Sequence, residues 1–148
     1  MTQVLGIDIG IKGGYAYGNG RGSPSSGVCI FSAGHGERWG LFQDWLRDVD
    51  ADASPDLVVY ERPCGKYNAL RGLCGFVTII EMYAAQTETL TREVPPKVLK
   101  QFATGNGNAG KPMMVAAARE RWPELEIISP DHADALWLMA YGLEKEAE

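Results

Sequence analysis

The stretch Val4-Leu5-Gly6-Ile7-Asp8-Ile9-Gly10 decides how the chain is read. Residues 3–9 are short, apolar and bounded by turn residues, the pattern of a buried strand. Side chains alternate across a strand, so Gly6 and Asp8 share one face. A charge inside an apolar strand is costly unless something pairs with it. Gly10 then lets the chain turn and leaves room beside Asp8. Taken alone, Asp8 equally fits a turn or capping role. A second stretch repeats the design: Leu57-Val58-Val59-Tyr60 ends on Glu61, and Arg62-Pro63 stops the strand. Neighbours on a strand point to opposite faces, so Arg62 is not placed to pair with Glu61. If these two strands lie side by side and parallel, both acids reach their C-terminal edge, where open α/β sheets build their sites.

The rest of the chain supplies the frame. Residues 13–19 and 28–32 read as two more strands, separated by a Gly/Ser/Pro loop at 18–27. Residues 39–49 carry Phe42, Trp45, Leu46 and Val49 at helical spacing. Residues 68–86 form a long helix, 87–94 a fifth strand, and Pro95-Pro96 opens a short helix to about Phe102. Helices follow at 112–122 and from Pro130 to about Glu146. Three strands in a row, then strands alternating with helices, predict an α/β fold with a mixed sheet. At 148 residues, the chain fits a single domain, 1–148.

Composition narrows the classes. Apolar residues make up 45% and charged residues 22%, which supports a packed core and excludes a disordered tail. No apolar run reaches the ~18–20 residues of a membrane span, and the N-terminus shows no signal-peptide pattern. The expected location is the cytoplasm. Cys29, Cys64 and Cys74 are an odd number with no CxxC, so reduced, mostly buried thiols are expected rather than disulfides or a zinc site. The segment from Asp44 to Asp56 holds five Asp and one Arg. Without a Gly at the turn or a closing Glu it is a solvated helix end and loop, not a calcium site.

Two further acids stand in Ser129-Pro130-Asp131-His132-Ala133-Asp134-Ala135-Leu136-Trp137. Ser129 suits an N-cap and Pro130 the first helical position. Asp131 and Asp134, three apart, then share a helix face. Asp131 alone could simply complement the helix dipole. Asp134, set among Ala and Leu, calls for a cation. Four converging acids would raise one another's pKa. Divalent metals remove that conflict, and all-oxygen ligands favour Mg²⁺, with Mn²⁺ as a substitute, over zinc. Two such ions can clamp the attacking and leaving oxygens of a phosphodiester. His132 reads equally as a proton shuttle or as a plain residue of the first helical turn.

The net charge is −5, from 14 basic and 19 acidic side chains, yet residues 92–121 hold six basic groups against two acidic ones. Lys12, Arg62, Lys66 and Arg71 form a second basic group beside the first two acids. In the stretch 104–111, Thr-Gly-Asn-Gly-Asn-Ala-Gly-Lys, backbone N–H groups could cradle a phosphate, with Lys111 adding a charge. It is not a P-loop, since Pro112 stands where the hydroxyl residue is required. Arg119 and Arg121 fit a plain solvated helix face. Acids in the first helix and at Glu144, Glu146 and Glu148 concentrate negative charge elsewhere, so a polarised surface is expected.

On these elements the chain resembles the RuvC family of Holliday-junction resolvases, within the RNase H-like superfamily. The specific part is T-G-N-G-N-A-x-K (104–111) together with D-x-x-D-A-L (131–136). The resemblance implies an RNase H-like fold with a five-stranded mixed sheet flanked by helices, and a homodimer lined by the helix from Asn68, where Gly72 and Gly75 permit close approach. It implies metal ligation by Asp8, Glu61, Asp131 and Asp134, with Lys100 and Lys111 beside the scissile phosphate. The DNA contacts expected around them are Lys12, Arg62, Lys66, Tyr67, Arg71, Lys97, Lys100, Asn106, Asn108 and Lys111. The implied activity is metal-dependent nicking of four-way junctions and other branched DNA, leaving 5′-phosphate and 3′-hydroxyl ends. Bacterial members usually carry an aromatic shortly after the catalytic Glu; here Arg62-Pro63-Cys64-Gly65 intervenes and the nearest aromatic is Tyr67. The chain resembles compact phage-encoded variants.

Three other readings use the same residues. An actin-like or sugar-kinase-like ATPase shares the first motif but needs two lobes and a longer chain. A catalytically silent DNA-binding module of this fold has no need of all four acids. An RNA–DNA hybrid nuclease of the superfamily is separated only by substrate assays.

Overall fold

Two parallel strands form the centre of the structure, a computed structural model that describes residues 2–147. They are β1 (Val4–Asp8) and β4 (Leu57–Glu61), paired in register from Val4 opposite Leu57 to Ile7 opposite Tyr60. β2 (Lys12–Gly18) and β3 (Ser25–Ile30) extend the sheet antiparallel on one side, and β5 (Leu90–Val94) adds to β4 in parallel on the other. The order is β3-β2-β1-β4-β5. Hence Asp8 and Glu61 both end at the same edge, as the parallel arrangement requires.

Strand alternation divides the core. Leu5, Ile7, Val58 and Tyr60 face α1 (His35–Ala53) and α2 (Tyr67–Thr87), where Phe42, Leu46, Phe76 and Ile80 complete one apolar layer. Val4, Ala16, Leu57, Val59 and Val94 face α5 (Pro130–Ala147), backed by α3 (Pro96–Thr104) and α4 (Lys111–Arg121). Truncating a fully buried leucine such as Leu136 or Leu138 costs ~2–5 kcal/mol, the usual penalty for a core cavity. The α5 face demands small residues. A Cβ on Gly6 would stand 2.5 Å from the Ala135 carbonyl oxygen and the Met139 nitrogen, and one on Gly14 would overlap the Asp131 carbonyl. These two glycines let α5 lie directly on β1 and β2.

Several expectations need correction. β3 begins at Ser25, three residues before the expected start, because Ser25, Ser26 and Gly27 pair with Tyr17, Ala16 and Tyr15 despite their turn-like composition. α2 runs on to Thr87, so β5 starts only at Leu90. Only Cys29 is buried; Cys64 and Cys74 are exposed. The acidic segment is not merely solvated. Asp50 accepts a hydrogen bond from the Tyr83 hydroxyl at 2.6 Å, Asp52 accepts one from Tyr17, and Asp56 accepts the Gln3 N–H at 2.8 Å. Gly72 and Gly75 serve a contact within the chain: Trp39 of α1 lies where a Gly75 Cβ would be, and its indole N–H donates to the Gly72 carbonyl at 3.2 Å. Glu148 of the expected acidic tail lies outside the described residues. Among those residues, no helix is long and apolar enough to cross a membrane.

Candidate functional site

Asp8 ends β1 and Glu61 ends β4, while Asp131 and Asp134 lie in the first turns of α5. The N-terminus of α5 is fixed by its own sequence. The Ser129 hydroxyl accepts the His132 N–H at 3.2 Å, and Pro130 opens the helix, as an N-cap followed by N1 proline requires. Gly14 sits opposite Asp8 in the β1–β2 pairing and leaves space for the Asp131 backbone. That close approach sets the Asp131 carboxyl against that of Asp8, where the two compete for a proton. A Gly13-Gly14 doublet inside a strand was the available signal for it.

The electrostatics record the convergence. Burial holds the Asp8 carboxyl well above its ordinary 3.8, reinforced by the Asp131 hydrogen bond and by the charges of Asp134, Asp131 and Glu61. Burial also raises Glu61, with Lys100 working against it. Asp134 is pushed up to about 7 by burial and then by Glu61 and Asp131, while Lys100 and Lys111 pull it down. So the structure brings together the four acids and both lysines, from β1, β4, α5, α3 and the first residue of α4.

The donor set is all-oxygen and carries more negative charge than the two lysines balance, which fits a hard divalent cation. Among the described residues, no group of three or more His, Cys, Asp or Glu side chains is placed as it stands to hold a metal ion. Asp8, Glu61, Asp131 and Asp134 are the side chains that would hold such ions.

His132 takes no part in this cluster. It is 3% exposed, its Nδ1 accepts the Ile128 N–H at 3.3 Å, and its Nε2 lies 2.8 Å from the Ser26 hydroxyl. Burial lowers its pKa, which keeps the ring neutral and makes it a staple between α5 and β3.

The remaining basic residues divide. Lys12 is exposed at the start of β2, and Arg62 and Lys66 are exposed on the loop after Glu61. Tyr67, at the first position of α2, is 77% exposed. Arg71 instead packs on α1, with Nη1 3.2 Å from His35 Nδ1 and its guanidinium over Trp39 at 6.0 Å; neither His35 nor Trp39 stood out in the sequence. Lys97 lies against Gly107. The 105–110 loop does not offer a row of free N–H groups. Gly105 donates to Gln101, Asn106 to the Thr104 hydroxyl, Asn108 to the Asn106 side chain and Ala109 to the Asn106 carbonyl. Four of the six loop N–H groups are thus engaged, which leaves Gly107 and Gly110 for an anion, and the loop leads into Lys111 beside the acids. Three arginines of the basic segment are also engaged within the fold: Arg92 faces Glu146 at 3.9 Å, Arg119 donates to the Ile127 carbonyl and Arg121 covers Trp122.

Comparison with known proteins agrees with this geometry. No family model matches the chain. It is 31% identical over 101 residues to the crossover junction endodeoxyribonuclease RuvC of Zymomonas mobilis; the match covers 67% of this chain and spans 60% of that relative's length. The structure of Thermus thermophilus RuvC superposes with a TM-score of 0.77 at 22% identity, covering 99% of this chain and 96% of that one. The fowlpox virus resolvase, solved with Holliday junction DNA, matches with a TM-score of 0.67 at 14% identity over 99% of this chain and all of that one. The mixed sheet flanked by helices is thus the fold of these proteins, and in sequence and fold together the chain is similar to the RuvC resolvases.

Proposed function

We propose that the protein is a metal-dependent endonuclease that resolves four-way DNA junctions, and acts on other branched DNA, by paired nicks. The observation that carries this reading is the convergence of Asp8, Glu61, Asp131 and Asp134 at one sheet edge, with Lys100 and Lys111 facing them. Mg²⁺ is the expected cation, two ions per site, with Mn²⁺ as a substitute. Bound there, such ions supply an activated water and stabilise charge on the leaving oxygen. The four carboxylates hold and orient that charge. Lys100, half-buried, and Lys111, exposed at a helix start, place positive charge where the phosphate oxygens gain negative charge. The neutral, buried His132 holds the α5 N-terminus and moves no proton. Products carry 5′-phosphate and 3′-hydroxyl ends.

Two symmetric nicks call for two copies of the site. A two-fold homodimer supplies them, and the stripe Leu70, Cys74, Val77 and Glu81 on the outer face of α2 is open to a partner. Lys12, Arg62, Lys66, Tyr67, Lys97, Asn106 and Asn108 are the further DNA contacts of this reading. The cytoplasm, where such DNA resides, is the location that fits. The test is cleavage of synthetic junction, flap, linear duplex and RNA–DNA hybrid substrates with Mg²⁺, with Mn²⁺ and in chelator. Paired nicks in the junction, lost in chelator, support the reading. Preferential cutting of the hybrid favours another nuclease of the superfamily, and robust cutting without metal removes the site assignment.

A further inference from the structure

Between the turn after β1 and the first turns of α1 and α2 lies a groove of ≈480 Å³, within the size range of small-ligand sites. Its floor is apolar, made by Gly72, Leu73 and Phe76, and Asn68 stands at its mouth. Gly10 lines one side and stands two residues beyond Asp8, just past the end of the strand that carries this acid. His35 forms a wall and belongs to a flat, positively charged stack. Its ring lies on Trp39 at 5.2 Å and 19° between planes, and the Arg71 guanidinium reaches both.

Gly72 keeps this groove open. A glycine inside a helix costs about 1 kcal/mol relative to alanine, so it calls for a reason. The Trp39 indole bonds to its carbonyl, a contact any residue could make, and a Cβ there would meet only His35 Nε2 at 3.6 Å and Arg38 Nη1 at 3.8 Å, ordinary contacts. Gly75, one turn on, is different, because Trp39 fills its place. Gly72 therefore leaves a space that the fold itself does not use.

We infer that this groove receives one nucleobase of the bound strand, swung out of the stack next to the scissile phosphate. The inference rests on the nucleic-acid reading of the site. An apolar slot suits the two faces of a base, an aromatic wall backed by a guanidinium adds stacking and cation–π attraction, and the cations at the rim suit the attached phosphate. The Asn68 amide offers one donor and one acceptor side by side, the pair that adenine matches. The groove thus acts as a positioning site that prefers adenine at one place beside the cut.

The test measures binding only, in an Asp8→Asn chain that cannot cut. Single abasic sites are placed in turn around the centre of a four-way junction. One position lowers affinity about 10-fold, the scale of a lost base stack. Gly72→Leu fills the groove and abolishes that sensitivity, whereas Gly72→Ala, whose methyl fits, folds and retains it. Asn68→Ala keeps the abasic effect and loses the preference for adenine at that position. A flat abasic profile, or a sensitive position that survives in Gly72→Leu, overturns the inference. So does a flat profile with a change of oligomeric state in Gly72→Leu, which makes a second copy the occupant. Failure of the branched-DNA reading shows separately, as equal affinity for junction and linear duplex, and the abasic profile is then read on the duplex.

Discussion

Asp134→Asn should make the metal-free protein more stable at neutral pH. Asp134 has its pKa pushed up to about 7 from an ordinary 3.8, with burial the largest cause. An acid with a raised pKa in the folded state favours folding below its unfolded pKa and loses that contribution as pH rises to the folded one. At 1.36 kcal/mol per pH unit the loss at pH 7 is ~4 kcal/mol. That figure already contains the attraction of Lys100 and Lys111; allowing ~1 kcal/mol for an amide less well hydrogen-bonded than the acid it replaces, a gain of ~3 kcal/mol is expected. For a domain of this size that is a rise in Tm of ~10 °C. The assay is thermal and urea unfolding in chelator at pH 7.5 and pH 4.5. At pH 4.5 the difference should shrink to ~1 kcal/mol, because Asp134 is then protonated in the folded state and the pH lies less than one unit above its unfolded pKa. Added Mg²⁺ should stabilise the parent chain and leave the variant far less affected. A variant that is less stable in chelator at pH 7.5, or equally shifted at both pH values, refutes the claim that these acids are in electrostatic conflict.

Gly14→Ala should force α5 away from β2, costing ~1–3 kcal/mol and cutting nuclease rate ~100-fold through misplacement of Asp131; parent-like rate and stability would mean the close approach is dispensable. Lys100→Ala and Lys111→Ala should each slow cleavage ~10–100-fold and lower the salt slope of DNA binding by about one phosphate contact, read by single-turnover rates and a salt titration. His132→Ala should destabilise the chain by ~2 kcal/mol, since it orphans the Ile128 N–H and the Ser26 hydroxyl, while the cleavage rate and its pH profile well below the Tm stay unchanged; a displaced pH profile would restore a proton-shuttle role.

Strand and helix identities were legible because their cause is local. The apolar runs at Val4–Asp8 and Leu57–Glu61 and the helical spacing around Phe42 and Leu46 carry their own periodicity. The start of β3 was not legible, since Ser25-Ser26-Gly27 has turn composition and is held in strand form by pairing with β2. Acids stranded in apolar surroundings marked the site, and Pro130 after Ser129 marked the helix that carries two of them. What the sequence could not show is which polar groups the tertiary structure uses. The asparagines and glycines of 105–110 looked like an anion cradle, yet four of their six N–H groups are already bonded within the chain. His132 sits in the motif but bonds to a strand 106 residues away in sequence. The His35–Trp39–Arg71 stack joins two helices whose contact no local pattern records.

The central claim is that four converging acids form the metal site of a junction nuclease. The most direct test is single-turnover cleavage of a synthetic four-way junction in Mg²⁺ by the parent chain and by Asp8→Asn, Glu61→Gln, Asp131→Asn and Asp134→Asn, with junction binding measured in chelator. The account predicts paired symmetric nicks with 5′-phosphate ends for the parent, a loss of ~100-fold or more in each variant, and binding that is retained or tightened. Near-parent cleavage by all four variants would contradict it.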